Sequence, residues 1–171
     1  GGSTTTSSGG TTSSTGGSGA GGSVGGGGST FNFPVVINEV HATGEDWIEL
    51  VNTGADAFTI DENGRPVPLP GGENGRVLYT GPAGVCGAAT SPEWGFGFKA
   101  YPFAKAMPRR MSVRVYSAGA VEAIAHTRDL WRGTHPLPKM HTWMLTQCKM
   151  KFSRPVPFQI GGDRHGHVSE V

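Results

Sequence analysis

Apolar and polar residues alternate with a period of two through much of the chain after residue 34, and this period marks half-buried β-strands. Val35 to Val40 gives a first strand, with period-two sets Val36/Asn38/Val40 and Val35/Ile37/Glu39. Each face thus carries one polar residue, and a buried Asn38 or Glu39 would need backbone partners. Asp46 to Asn52 gives a second strand, Ile48 and Leu50 pointing one way and Trp47, Glu49 and Val51 the other. A third runs from Ala57 to Ile60 after a short turn at Asn52-Thr53-Gly54-Ala55-Asp56. Strands this close in sequence are expected to pair antiparallel with their neighbours.

The same reading continues downstream. Arg76 to Thr80 predicts a fourth strand, and Met111 to Ser117 a well-alternating one with Val113 and Val115 inward and Arg114 outward. Ala118-Gly119-Ala120 predicts a turn, after which Val121 to Thr127 is expected to return as the second strand of a hairpin. His141 to Thr146 suits a further strand, although neither a strand nor a helix period persists after Arg128. Residues 161–171 read as a disordered tail.

Composition adds a tether. The first 30 residues hold 13 Gly, 15 Ser or Thr, one Ala and one Val, without a charge. Such a segment buries too little apolar surface to offset its ordering entropy. It predicts a flexible linker reaching roughly 30 Å, followed by a domain over residues 31–160. A chain opening at Gly, with such a linker, suits a piece of a larger multidomain protein. No apolar run approaches the length of a transmembrane helix. The 171 residues include 29 Gly and 12 Pro, and 16 of those Gly lie beyond the linker, a density that favours turns and short strands over long helices.

The net charge of +1 conceals an asymmetry. Phe31 to Glu93 carries nine acids and two bases, whereas Trp94 onward carries four acids and twelve Lys or Arg. Mutual neutralisation of the halves is the plain expectation, and a basic face for an anionic partner the sharper one. An even pair of cysteines, Cys86 and Cys148, together with the linker, suits a secreted or cell-surface protein with one disulfide. Closing the 61 residues between them would stabilise the fold by about 4 kcal/mol.

Ile37-Asn38-Glu39-Val40, Asp46-Trp47-Ile48-Glu49-Leu50 with Asn52, Gly95-Phe96-Gly97, and Ser112-Val113-Arg114-Val115-Tyr116 followed by Gly119 and Val121 together resemble the bacterial lamin-tail domain family. The resemblance covers about residues 35–127, while residues 128–160 depart from the family's closing pattern. It implies an all-β, immunoglobulin-like antiparallel sandwich, used as an accessory module on secreted or surface proteins. It also implies that Asn38, Glu39, Trp47 and Glu49 are fold determinants, with no catalytic residues to carry over.

The candidate chemistry is correspondingly modest. Glu39, Glu45, Asp46 and Glu49 supply hard oxygens but match no calcium loop. Five of six histidines fall between His126 and His167, without zinc-ligand spacing. Cys148 with His141 forms a nucleophile and base on paper, but lacks an orienting third residue. Trp47, Trp94, Phe96 and Phe98 offer ring faces for a sugar, although core packing is the plainer role for Trp47. Arg109, Arg110, Arg114, Lys149 and Lys151 would form a nucleic-acid surface if they shared one face. The sequence therefore predicts a non-catalytic binding or spacer module on a flexible linker, needing no cofactor. Its partner would be a protein, a polysaccharide or a nucleic acid, and its binding residues are expected among Arg109, Arg110, Arg114, Lys149, Lys151, Trp94 and Phe96. Nucleic-acid accessory domain and metal-dependent hydrolase are the alternatives.

Overall fold

The computed structural model describes residues 1–2, 35–36 and 47–171, with the side chains of Val35 and Val36 left aside. Expectations for the linker, for Asn38, Glu39, Glu45 and Asp46, and for the first strand beyond Val36 lie outside the described residues. The domain is an immunoglobulin-like antiparallel β-sandwich. One sheet contains β1 (Val35–Val36), β2 (Trp47–Asn52), β5 (Val77–Pro82), β9 (Cys148–Ile160) and β10 (Asp163–Glu170). Its order is β1-β9-β2-β5, with β10 on the other edge of β9. The second sheet contains β3 (Phe58–Ile60), β4 (Pro66–Pro68), β6 (Val85–Ala89), β7 (Met111–Tyr116) and β8 (Met140–Leu145), in the order β4-β3-β8-β7-β6. Two short helices, α1 (Ala120–Ala125) and α2 (Thr127–Arg132), lie between β7 and β8 in sequence.

The period-two pattern sets the core. Ile48 and Leu50 of β2 are buried with Met150 of β9 on one side, and Val113, Val115, Trp143 and Leu145 of β7 and β8 on the other. Full burial of a side chain such as Leu50 contributes about 2 kcal/mol. The opposite set on β2 faces out, and Trp47 is 47% exposed at the strand's start. Trp47 is therefore not a core residue, because alternation fixes its face once Ile48 and Leu50 are committed inward.

β2 and β3, expected to pair across their short turn, lie in different sheets. β2 pairs β5 and β9, whereas β3 pairs β4 and β8. The chain crosses between sheets at residues 52–57, and the fully buried Asn52 fixes that corner. Its Nδ2 donates to the carbonyls of Ala55 at 2.9 Å and Gly72 at 2.8 Å, and its Oδ1 accepts from the Gly54 amide at 3.1 Å. A β-branched or apolar side chain here would leave buried backbone groups without partners.

The predicted hairpin partner of β7 is helical. Both edges of β7 are occupied, by β6 and β8, so residues 121–127 find no free ladder. Ala120, Ala123 and Ala125 carry high helix propensity. Ala123 and Leu130, two turns apart, pack on Tyr116, Ala118 and Leu137.

The C-terminal residues are ordered as a strand, which corrects the expected tail. Gly161 and Gly162 have φ of 61° and 96°, which suits a tight two-residue hairpin turn. β10 then runs back along β9, with Asp163 opposite Ile160 and Val168 opposite Val156. Val171 closes the pairing through two backbone bonds with Met150, at 2.7 and 2.9 Å. This covers an edge of β9 that would otherwise present open backbone groups.

Asn52→Ala should lower the unfolding free energy by about 2–4 kcal/mol, since three hydrogen bonds are lost and two carbonyls are stranded. Chemical denaturation measures this, and a change below about 0.5 kcal/mol would show that the corner does not depend on Asn52.

Candidate functional site

The alternation that sends Val113 and Val115 into the core sends Ser112, Arg114 and Tyr116 to the other face of β7. Cross-strand pairing sets Thr142 and Gly87 on either side of Arg114, and Met140 and Val85 on either side of Tyr116. In a two-layer sandwich this face would be wet. Here residues 92–106 and the two helices cover it, and Arg114 is only 5% exposed. Sequence alternation correctly placed Arg114 outside the sandwich core, but the covering layer makes it a buried cation.

The cover is tied down from several directions. The Trp94 amide donates to Phe98 O at 2.8 Å and the Phe98 amide to Gly95 O at 2.9 Å, closing a tight loop. Gly95 and Gly97, with φ of 128° and 76°, permit that turn. Trp94 stacks on Phe98 with ring centroids 5.5 Å apart, and Phe98 meets Trp131 of α2 at 5.5 Å. The Lys99 amide donates to Trp131 O at 3.0 Å. Phe96 sits at the loop tip, fully exposed. It does not share a face with Trp94 and Phe98, because the segment turns and is not a strand.

Between cover and sheet lies a cavity of about 300 Å³. Trp94, Phe98, Ala123 and Leu130 form its outer walls, and Gly87, Arg114, Tyr116 and Met140 its sheet side. Gly87, opposite Arg114 in the ladder, contributes no side chain to fill it. Among lining side chains, Arg114 is the charged one. Its Nε donates to Thr142 Oγ1 at 3.2 Å and its Nη1 to the Ala100 carbonyl. Those are two of the five N–H donors of a guanidinium. Among the described residues no carboxylate pairs with it. Burial lowers its pKa to about 10. Tyr116, also buried against the cavity, has a hydroxyl without a hydrogen-bond partner, and the neighbouring Ser112 hydroxyl is likewise unpaired.

The other expected binding cations do not join Arg114. Lys149 and Lys151 alternate with inward Met150 on β9 and so lie on the outer face of the other sheet. They pair with Glu170 and Glu49, each at 2.9 Å. The hydrogen bond that Lys151 donates to Glu49 holds its exposed ammonium above its usual pKa. Arg110 donates to Asp56 O at 2.7 Å and Met144 O at 3.2 Å, and its guanidinium lies 4.7 Å from the Phe58 ring centre. Arg109 is exposed in a turn. The five cations therefore form no common face.

Cys86 and Cys148, expected to be joined, are free thiols. Each belongs to the inward set of its sheet, Cys86 opposite Val115 and Cys148 opposite Asn52. Burial pushes both thiols up to about 12, and their mutual proximity adds to the rise at Cys86. A thiol so protonated is not an activated nucleophile. His141 stacks on Trp143 and Tyr79, and burial lowers its pKa. His165 and His167 lie exposed on β10. Among the described residues no three His, Cys, Asp or Glu side chains gather as a metal site, and no helix is long and apolar enough to cross a membrane.

Comparison of the chain with protein-family models, curated proteins and solved structures finds no match. The cavity was only partly visible in the sequence. Trp94, Phe98 and Arg114 are candidates in the sequence, whereas Tyr101, Ala123 and Leu130 are not.

Arg114→Met should leave the fold intact and change the unfolding free energy by no more than about 2 kcal/mol in either direction. A base whose folded pKa is lowered costs stability at all pH below about 10, a cost that fades as pH rises toward the higher unfolded value. Removing the charge relieves that cost and offsets the two lost hydrogen bonds. Thermal or chemical unfolding checks this, and a loss above about 4 kcal/mol would make Arg114 a structural necessity.

Proposed function

We propose that the protein is a non-catalytic binding module that takes a small ligand in the cavity on the outer face of the β6-β7-β8 sheet. The observation that carries the reading is a largely apolar cavity of about 300 Å³ whose wall holds a buried guanidinium with no carboxylate partner among the described residues. Concave, mostly apolar sites with a few placed polar groups are the usual form of a small-molecule site. The volume is at the small end of that range, so the ligand is compact. Exposed Phe96 and Trp131 lie on the covering segments and give the module an apolar rim. The Gly/Ser/Thr-rich first 30 residues suit display of the module away from a larger protein. The lamin-tail resemblance supports a secreted or cell-surface bacterial protein.

Ligand-observed NMR with a library of compact aromatic fragments should find binders that compete for one site. Ala123→Phe, on a surface helix, should fill the cavity and weaken them about tenfold or more, with the unfolding midpoint nearly unchanged. Binders that are indifferent to Ala123→Phe would place the site elsewhere.

The secreted assignment has its own readout. Cys86 and Cys148 face each other from opposite sheets, so passage through an oxidising compartment should join them. Protein exported to the medium and unfolded without reductant should then show no reactive thiol. Two reactive thiols would count against both the bond and the compartment.

A further inference from the structure

We propose that the ligand of this cavity is a small organic monocarboxylate with an aromatic or branched aliphatic body, its carboxylate held by Arg114 and its body against Trp94 and Phe98. The proposal rests on reading the cavity as a binding site, and it names what that site selects.

Charge carries the first step. Arg114 is nine-tenths or more out of water, with two hydrogen bonds to neutral oxygens and no carboxylate opposite it among the described residues. A buried charge is normally paired, since desolvation is expensive. A structural arginine would be expected to have an acid from a neighbouring strand. The neighbours here are Gly87 and Thr142, neither of them acidic. The missing anion is therefore supplied from outside, through the cavity that Arg114 borders.

Geometry and number of charges narrow the anion. One guanidinium presents a planar fork that matches a carboxylate in two parallel hydrogen bonds. A phosphate dianion calls for further cations, and no other Lys or Arg lines the cavity. Tyr116, whose buried hydroxyl lacks a partner, borders the same space. It offers one neutral donor, which suits a single carboxylate better than a polyanion. The rest of the wall fixes the body. Trp94 and Phe98 are stacked on each other, and Ala123, Leu130 and Met140 complete an apolar lining. A sugar would find few hydroxyl partners there, and a long acyl chain would exceed about 300 Å³.

The test compares an acid with its neutral isostere on the intact chain. Phenylacetate and phenylacetamide are titrated against the protein by calorimetry at neutral pH, with inorganic phosphate as a second anion. Phenylacetate should bind about tenfold or more tightly than phenylacetamide, the margin of a charge-assisted over a neutral hydrogen bond, and phosphate should not compete. Arg114→Met should erase the preference by weakening phenylacetate far more than phenylacetamide, and Tyr116→Phe should reduce it. The wild-type comparison alone decides the matter if the Arg114 variant does not fold. Equal affinity for acid and amide overturns the carboxylate assignment and leaves the cavity as a neutral-ligand site. Competition by phosphate also overturns it, in favour of a general anion site. Absence of binding by either phenyl compound, together with failure of the fragment library, overturns the binding-site reading itself.

Discussion

The architecture depends on one strand being buried on both faces. β7 sends Met111, Val113 and Val115 toward the other sheet and Ser112, Arg114 and Tyr116 the opposite way. In a plain two-layer sandwich the second set would be solvated, as it is on β2, where Glu49 and Val51 are only part-buried. On β7 the second set is as deeply buried as the first. That constraint demands a third layer. The chain provides it twice, through residues 92–106 between β6 and β7 and through α1 and α2 between β7 and β8. Both insertions flank the same strand, which is why their coverings meet over it and leave a cavity where Gly87 gives no side chain.

The sandwich itself is held by a different device. Short turns after β2 would ordinarily return the chain as a neighbouring strand in the same sheet. Asn52 prevents this by using its side-chain amide on Ala55 and Gly72, which bends residues 52–57 across to the second sheet. The ladder positions beside β2 are then free for β5 and β9. The buried amide thus holds the corner at which the chain leaves one sheet for the other.

Much of this was legible in the sequence, and the limits are physical. Strand existence was readable because period-two alternation is local: β2, β3, β7 and β8 fall close to their expected ranges. Pairing was not, because it depends on contacts such as Asn52 with Gly72, 20 residues away. Helicity of residues 120–132 was missed because valine and isoleucine at 121 and 124 suggest a strand; both stay exposed, and the alanines decide the outcome. The terminal strand was missed because its His-Gly-His and charged residues hide the alternation, although Gly161-Gly162 was a readable turn. The site was the least legible part. Arg114 was assigned the correct face, but its burial depends on a covering layer that no pattern within β7 encodes.

That burial also changes the meaning of the uneven charge along the chain. An acidic first half and a basic second half invite an explanation by long-range attraction. Among the described residues the ion pairs between strands are two and solvated: Glu49 with Lys151 across β2 and β9, Lys149 with Glu170 across β9 and β10. Exposed pairs of this kind contribute about 0–1 kcal/mol each, and the second lies wholly within the basic half. Charge segregation therefore does little to hold the sheets together, which is the work of Leu50, Val113, Val115, Leu145 and Met150. The cation with energetic consequence is the buried one, Arg114, which has no carboxylate partner among the described residues. Desolvation of Arg114 opposes its two hydrogen bonds, and the buried Tyr116 and Ser112 hydroxyls on the same face of β7 have no partner. Of these groups Arg114 and Tyr116 border the cavity, so the polar demand left by the third layer is concentrated at one place in its wall.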